Sequence, residues 1–310
     1  MGTLRSEFSF PSVVGDCEIN ALCWLPEDGE IRGVVQLIHG MMEHIHRYDL
    51  VAEQLNAAGY AVYGHSHLGH GKSINDDYPF GYFGRDNETG HVFREDVFQM
   101  TKFIQQRHPG LPIVLFGYSM GSFVCRTCIG ERGEDYAAAI ICATGGPHPD
   151  LSWGILGSGA MSVFFGKKPG YLVQKNTFGS YEDRTEHRTN SDWLSPDPDY
   201  VDKVLADPEC GFTFSNRGFH DLFTMIRYCV SDEIYSGTPK DLPILLISGE
   251  EDPVGSYGRL VKASYESYLK SGHTNVTMKL YPGRRHEIHL DPRGHEVIDD
   301  VLQFLKQNNL

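Results

Sequence analysis

The sequence lacks an apolar run near twenty residues, the length that a membrane-spanning helix needs. It also lacks any block of Lys or Arg, and 27 basic residues against 41 acidic ones give a net charge of −14. This charge disfavours binding to nucleic acid or to an anionic membrane surface. The seven cysteines are scattered and odd in number, which is typical of reduced thiols. We therefore expect a cytoplasmic protein with no nucleic-acid partner.

What is present is an alternation of short apolar runs with helical patterns through most of the 310 residues. Such alternation predicts an α/β fold, with a mostly parallel central sheet flanked by helices and a site at the carboxyl ends of its strands. The predicted strands are residues 8–14, 18–25, 34–38, 60–63, 113–116, 137–143, 243–248 and 276–281, and predicted helices follow most of them.

The alternation stops between residues 147 and 240, where aromatic side chains occur among Gly, Pro and Asp. We interpret residues 147–240 as an inserted, mostly helical cap that lies over the site. The remaining residues, 1–146 and 241–310, then form the core domain. Trp153 and Phe165 are candidate substrate contacts in the cap, although such aromatics also commonly form a core of their own.

The most informative stretch is Gly117-Tyr118-Ser119-Met120-Gly121. It joins a predicted buried strand directly to a predicted helix, which requires a sharp corner. Glycines two residues before and two residues after the serine leave room for that corner. The pattern predicts an exposed, nucleophilic Ser119 hydroxyl at the positive end of a helix.

A serine hydroxyl needs a base to take its proton, and the base needs an anion to orient it. The acid should follow the strand 243–248, where we favour Asp252 over two neighbouring glutamates because Pro253 rigidifies its turn. The base should follow the strand 276–281, where His286 lies closest to the strand end. The competing candidates are Glu250, Glu251, His289 and His295. The resulting order of serine, acid and histidine is the one expected of an α/β-hydrolase.

An acyl-transfer site also needs two N–H donors for the oxyanion. The residue after the nucleophile, Met120, supplies one, and Met41 in the loop after the strand 34–38 supplies the other. Met42 and Tyr118 lie next to these donors in the sequence, and we predict that both contact substrate. The methionines equally suit ordinary core packing.

Five motifs together resemble the monoacylglycerol lipase and lysophospholipase branch of the α/β-hydrolases. The resemblance spans both halves of the chain and is weak in residues 147–240. It departs from the family at Ser66, where the family usually has Asp. The motifs are His39-Gly-Met-Met-Glu43-His44 followed by Arg47-Tyr48, Gly69-His70-Gly71-Lys-Ser73, Gly117-Tyr-Ser119-Met-Gly121, Gly249-Glu-Glu-Asp252-Pro253 and Tyr281-Pro-Gly-Arg-Arg-His286-Glu287.

The resemblance implies a serine hydrolase that cleaves single-chain acyl esters of the monoacylglycerol or lysophospholipid type, without a cofactor. It implies Ser119, Asp252 and His286 as the triad, Met41 and Met120 as oxyanion donors, and a cap that forms the acyl tunnel. The partner is then a small-molecule acyl ester, with at most peripheral membrane contact through the cap. The oligomeric state stays open.

Three alternatives remain at the level of sequence. An amide or peptide hydrolase of the same fold differs only in the cap, and a small-molecule receptor can retain the triad without turnover. A metal-dependent hydrolase is suggested by His65, His67 and His70, which nearly match a known metal-binding pattern. We expect no metal there, because Gly69 occupies the place of the carboxylate that a second ion needs.

Overall fold

The computed structural model describes residues 2–310, which contain one eight-stranded sheet. Its strand order is β1-β2-β4-β3-β5-β6-β7-β8. The strands β1 and β2 form an antiparallel edge, and every pairing from β4 to β8 is parallel. The strands are β1 (Thr3–Pro11), β2 (Glu18–Pro26), β3 (Gly33–Ile38), β4 (Tyr60–His65), β5 (Ile113–Tyr118), β6 (Ala138–Cys142), β7 (Ile244–Gly249) and β8 (Val276–Tyr281).

Helices cover both faces of this sheet. Four of its central strands, β3 to β6, are buried along their whole length, as continuous apolar runs in a parallel sheet require. The helices outside the segment between β6 and β7 are α1 (Asp49–Ala57), α2 (His91–Arg107), α3 (Met120–Arg132), α9 (Arg259–Lys270) and α10 (Gly294–Gln307). The predicted α/β architecture with a mostly parallel sheet is therefore confirmed.

Two hydrophobic cores lie on opposite faces of the sheet. One core holds Val97 of α2 and Val124 of α3, and the other holds Leu55 of α1 and Val301 of α10. Each of these helices presents one apolar stripe to the sheet, as the 3.6-residue period of its sequence predicts. The carboxyl ends of the parallel strands stay free of these layers, so the loops that follow the strands can carry a site.

The segment between β6 and β7 is helical. Residues 147–240, all of which the structure describes, form five α-helices and one short 3-10 helix and contribute no strand to the sheet. Phe214 and Phe219 of this segment are fully buried in the first core, so part of it packs on the sheet layer. The exact division at 146/147 and 240/241 stays a prediction. The helices are α4 (Leu151–Phe165), α5 (Tyr171–Phe178), α6 (Pro198–Ala206), α7 (Asn216–Cys229) and α8 (Asp232–Gly237).

The helices α4 and α7 pack against each other. The α7 helix is amphipathic and buries nine of its fourteen residues, whereas α4 buries only Ser158. Within residues 2–310, no helix combines the length and the apolar character required to cross a bilayer.

Candidate active site

Ser119 lies at the corner between β5 and α3. Its backbone has φ 51° and ψ −118°, a strained conformation for a residue with a side chain. A Cβ at Gly117 would meet the backbone of Gly121, and a Cβ at Gly121 would meet the carbonyl oxygen of Ile38. Both glycines are therefore needed for the close approach of strand, helix and neighbouring loop, as the sequence predicts.

The three residues predicted to form the triad are brought together. The Nε2 atom of His286 lies 2.8 Å from Oγ of Ser119, and its Nδ1 atom lies 2.9 Å from Oδ2 of Asp252. Asp252 is fully buried and also accepts hydrogen bonds from Ser248 Oγ at 3.1 Å and from the Val254 N–H at 2.9 Å. Those bonds fix the carboxylate, and the carboxylate in turn fixes the imidazole with Nε2 directed at the serine.

The competing acids and bases lie elsewhere. Glu251 is exposed, and its nearest cationic partner is Arg285, with Oε2 and Nε 4.0 Å apart. His289 is buried, with Nδ1 3.8 Å from Sγ of Cys142, and burial lowers its pKa to about 3. Glu250 and His295 are exposed to solvent. A neutral His289 with no carboxylate against its ring lacks the partner that a general base requires.

Two residues of the cavity wall have backbone N–H groups without a protein acceptor. The N–H groups of Met41 and Met120 donate to no oxygen within residues 2–310, and both residues line the same cavity as Ser119. Met120 is the first residue of α3, where the helix leaves its N–H free. This pair has the character of an oxyanion-binding site, in which donors wait for a charge that forms during reaction.

A buried charge network that the sequence did not reveal supports the Met41 loop. The Oε1 atom of Glu43 accepts hydrogen bonds from the Gly40 N–H at 2.6 Å and from the Tyr48 hydroxyl at 2.9 Å. Burial raises the pKa of the Glu43 carboxyl, although the adjacent Arg47 guanidinium opposes this. The Gly40 N–H belongs to the peptide group just before the one that carries the Met41 N–H, so the Glu43 side chain holds the backbone next to the candidate oxyanion donor.

Arg47 connects this loop to the loop after β8, which carries His286 and Glu287, and to the inserted segment. Its guanidinium donates to both oxygens of Glu287, at 2.9 and 2.8 Å, and to the Tyr200 hydroxyl at 2.8 Å. Burial raises the pKa of the Glu287 carboxyl, but the Arg47 charge together with the hydrogen bonds from Arg47 and Tyr200 lowers that pKa below the usual range. Glu43 and Arg47 belong to a recognised motif, but Glu287 and Tyr200 lie far from them in sequence, so no local signal could reveal the network.

A cavity of about 980 Å³ opens beside Ser119. Met42, Tyr118 and Trp153, three of the predicted substrate contacts, line it, and Trp153 is 73% exposed. Phe165 does not line the cavity, and its side chain is 44% exposed at the end of α4. The structure adds an aromatic residue that the sequence did not single out: the ring of Trp193 lies 5.0 Å from that of His286. Other apolar lining residues include Phe123, Met161, Leu172, Val173, Phe178 and Phe223.

The histidines that suggested a metal site form a separate buried cluster. His65, His67 and His70 are completely buried, and within the described residues they do not bring three ligand atoms within 4.8 Å of one another. Burial lowers the pKa of His65 and of His70 to about 3. His39 Nε2 accepts a hydrogen bond from the His67 backbone N–H at 2.9 Å, so the cluster supports the start of the Met41 loop.

Ser66, the departure from the family pattern, also contacts that loop. Its hydroxyl lies 3.3 Å from the Ile45 N–H and accepts a hydrogen bond from it. Its carbonyl oxygen accepts a bond from Ser73 Oγ at 2.7 Å. A neutral serine therefore connects the two loops where the family usually places a carboxylate.

Comparison with known proteins agrees with this geometry. A family model described as "Serine aminopeptidase, S33" matches residues 29–293. The chain is 28% identical to a monoacylglycerol lipase of Mycolicibacterium smegmatis, over 98% of each chain. It is 26% identical to a monoglyceride lipase of Mus musculus, over 90% of this chain and 82% of that one. A thermostable carboxyl esterase from Bacillus coagulans, solved with glycerol, superposes with a TM-score of 0.91 at 32% identity, over 99% of each chain.

These relatives favour an ester hydrolase over the amide hydrolase, the receptor and the metal-dependent hydrolase that the sequence left open. The predicted resemblance, fold and enzyme class are confirmed. The chain therefore belongs to the serine aminopeptidase S33 family of α/β-hydrolases and is a hydrolase.

Proposed function

We propose that this hydrolase cleaves the ester bond of monoacylglycerols through an acyl-enzyme on Ser119. The observation that carries the proposal is the unbroken chain from Ser119 Oγ through His286 to Asp252, at the wall of a large apolar cavity. The names of the relatives add support, because they include monoacylglycerol lipases and a carboxyl esterase that was solved with glycerol.

In the first half-reaction, Ser119 Oγ attacks the ester carbonyl carbon while His286 Nε2 takes the hydroxyl proton. The carbonyl oxygen becomes an oxyanion, and the N–H groups of Met41 and Met120 stabilise it. The buried Asp252 carboxylate stabilises the imidazolium that forms. The tetrahedral intermediate then expels the glycerol oxygen, which takes the proton from His286 and leaves the acyl group on Ser119.

In the second half-reaction, a water molecule gives its proton to His286 and attacks the acyl carbon. The same two N–H groups hold the new oxyanion. Collapse of this intermediate releases the fatty acid and returns the proton from His286 to Ser119 Oγ. One ester bond and one water are consumed, and the enzyme is regenerated without a cofactor.

The inserted segment, residues 147–240, acts as the cap in this proposal. It supplies much of the apolar cavity wall, including Met161, Leu172 and Phe223. A cavity of about 980 Å³ is at the upper end of the range for small-molecule sites, and its apolar lining suits an acyl chain. Each methylene group buried there contributes about 0.8 kcal/mol.

A hydrolysis series tests this function. We compare p-nitrophenyl esters of increasing acyl length, matched p-nitroanilides and monoacylglycerols. We expect kcat/KM to rise by up to about fourfold per added methylene until the cavity is full, with the anilides far slower. Faster cleavage of the anilides than of the esters, or a short acetyl ester as the best substrate, contradicts the proposal.

The same proposal places α4 of the cap at a lipid surface. This helix has no charged residue, and it exposes Val163 by 75% and Phe164 by 81%. An exposed apolar face of this kind marks an interaction site, and monoacylglycerol is itself a membrane lipid. Contact with the membrane is peripheral and involves only the apolar face of the helix.

Vesicle co-sedimentation tests this contact. We expect the double variant V163S/F164S to bind neutral phosphatidylcholine vesicles less than the unmodified protein. The matched control is L50S, because Leu50 is 71% exposed on α1, outside the cap. Equal loss of binding in both variants, or in neither, contradicts a lipid-facing α4.

A further inference from the structure

A cluster of metal-ligating side chains lies between the Met41 loop and the cap, outside the catalytic chain. One donor atom from each of His44, Asp207 and Cys210 lies within 4.8 Å of the other two. His44 comes shortly after Met41 in the sequence, and the other two residues follow α6. Around a tetrahedral zinc ion, neighbouring ligand atoms are about 3.3 to 3.8 Å apart, so side-chain shifts of about 1 Å would close the cluster.

The two nitrogens of the His44 ring face different carboxylates. His44 is only 6% exposed, and its Nδ1 atom has no hydrogen-bond partner in the described chain. The nearest carboxylate oxygen to that atom is Oε2 of Glu209, at 3.8 Å. The other ring nitrogen, Nε2, lies 2.9 Å from Oδ2 of Asp207. Nδ1 can carry the ring proton towards Glu209, as the outer nitrogen of a metal-ligating histidine does, and Nε2 and Asp207 Oδ2 are then two donor atoms of the cluster.

The charges and donor types favour a divalent cation of borderline softness. Asp207 and Glu209 bring two carboxylates, and Arg47, the nearby cation, is already paired with Glu43 and Glu287. Imidazole, thiolate and carboxylate together are ligands typical of Zn²⁺.

Cys210 is also accessible where the other cysteines are not. It is half-buried and borders the substrate cavity, whereas the other six cysteines of the chain are buried. A cation can therefore reach its sulfur from the cavity. The thiol is protonated without a metal, because burial raises the pKa of Cys210.

We propose that His44 Nε2, Cys210 Sγ and the Asp207 carboxylate form an inhibitory Zn²⁺ site, with the Glu209 carboxylate against the other nitrogen of the His44 ring. Binding forms a Zn–S bond and releases the Cys210 thiol proton to solvent, so no oxidant or reductant is needed.

Zn²⁺ bound at this site links the cap to the loop that carries Met41. The Gly211 N–H already donates to the Met42 carbonyl oxygen at 2.9 Å, next to the cluster. A metal at this position fixes that junction and occupies the cavity wall beside the acyl chain, which slows hydrolysis. Metal binding itself does not depend on the proposed function, and only the inhibition does.

Titration of the metal-free protein with Co²⁺ as a spectroscopic probe tests the binding. We expect a sulfur-to-cobalt charge-transfer band in the near ultraviolet that saturates at one ion per chain and that Zn²⁺ abolishes. The variant C210S should lose the band and bind Zn²⁺ at least about 100-fold more weakly, since it removes a direct ligand. The matched control is C229S, at a buried cysteine of α7, which should keep the band.

Absence of the band in the unmodified protein, or its persistence in C210S, overturns the site. Melting curves establish that C210S is folded, and E209Q offers a second variant that leaves the thiol in place and should weaken binding. In the ester assay, Zn²⁺ should inhibit the unmodified protein and C229S but not C210S, each relative to its own metal-free rate. A cobalt band without inhibition overturns the inhibitory role, and a failure of the ester assay leaves the spectroscopic result intact.

Discussion

Two groups of buried histidines lie within this one fold, and they differ in what faces their rings. His286 has a buried carboxylate on one nitrogen and a serine hydroxyl on the other. His65 has no hydrogen-bond partner on either ring nitrogen, and burial lowers its pKa to about 3. The comparison teaches that burial alone keeps an imidazole neutral, whereas an aligned carboxylate lets it accept and hold a proton.

The largest expected effect is at the nucleophile Ser119, which His286 contacts and His65 does not. The substitution S119A should lower ester turnover by about 10⁵- to 10⁶-fold, because His286 and Asp252 act only through that hydroxyl. Steady-state kinetics measures this, with S122A as the matched control on the same helix. Ser122 Oγ donates only to the Ser119 carbonyl oxygen, so its loss should cost less than about tenfold. Equal losses in the two variants contradict the assignment.

The second largest effect is expected when the Asp252 carboxylate, which distinguishes His286 from His65, is removed. D252N should lower kcat by about 10³- to 10⁴-fold, because the amide no longer holds the imidazole in the correct tautomer. The neighbouring exposed carboxylate provides the control, and E251Q should change kcat by less than about twofold. A larger loss in E251Q than in D252N shows that the acid is misassigned.

Substitution of His65, in the buried histidine cluster, should leave activity almost unchanged. H65L replaces a buried ring that makes no side-chain hydrogen bond with an apolar group, which is neutral or stabilising. We expect kcat/KM within about twofold of the unmodified enzyme and an unchanged or higher Tm. A fall of more than about tenfold in activity, restored by added metal, revives the metal-dependent alternative.

The smallest effect concerns pH. Because the folded-state pKa of His65 lies near 3 and an unfolded histidine titrates near its ordinary 6.5, the unfolded state binds more protons between these values. The free energy of unfolding therefore falls as pH decreases from about 6.5 towards 3, by up to about 1.4 kcal/mol per pH unit for this one histidine. Urea unfolding at several pH values should show a shallower fall in H65L. Identical slopes mean that His65 is not buried neutral.

Much of the fold follows from local patterns in the sequence. Most of the eight strands are short apolar runs between turn residues, and their alternation with helices predicts a mostly parallel sheet, whereas β1 is largely polar and exposed. The corner at Ser119 is also local, because two glycines must flank it. His286 could be proposed from its place after β8 alone. Asp252 needed a choice among three adjacent acids, which its burial and its bond to His286 now support.

Non-local contacts account for what the sequence did not reveal. Arg47 bonds Glu287 across 240 positions and Tyr200 across 153, and no periodicity encodes such pairs. The cap was hard to interpret for a related reason. Its helix α4 exposes large apolar side chains, so the usual rule that a helix buries its apolar face gave no orientation for Phe165.

Labelling with a fluorophosphonate, followed by peptide mass mapping, tests the central claim most directly. A serine reacts with this probe only when a base activates its hydroxyl. We predict one adduct per chain, on the peptide that contains Ser119, with no adduct in S119A and slow labelling in D252N. An unlabelled chain, or an adduct on a different residue that persists in S119A, contradicts the account.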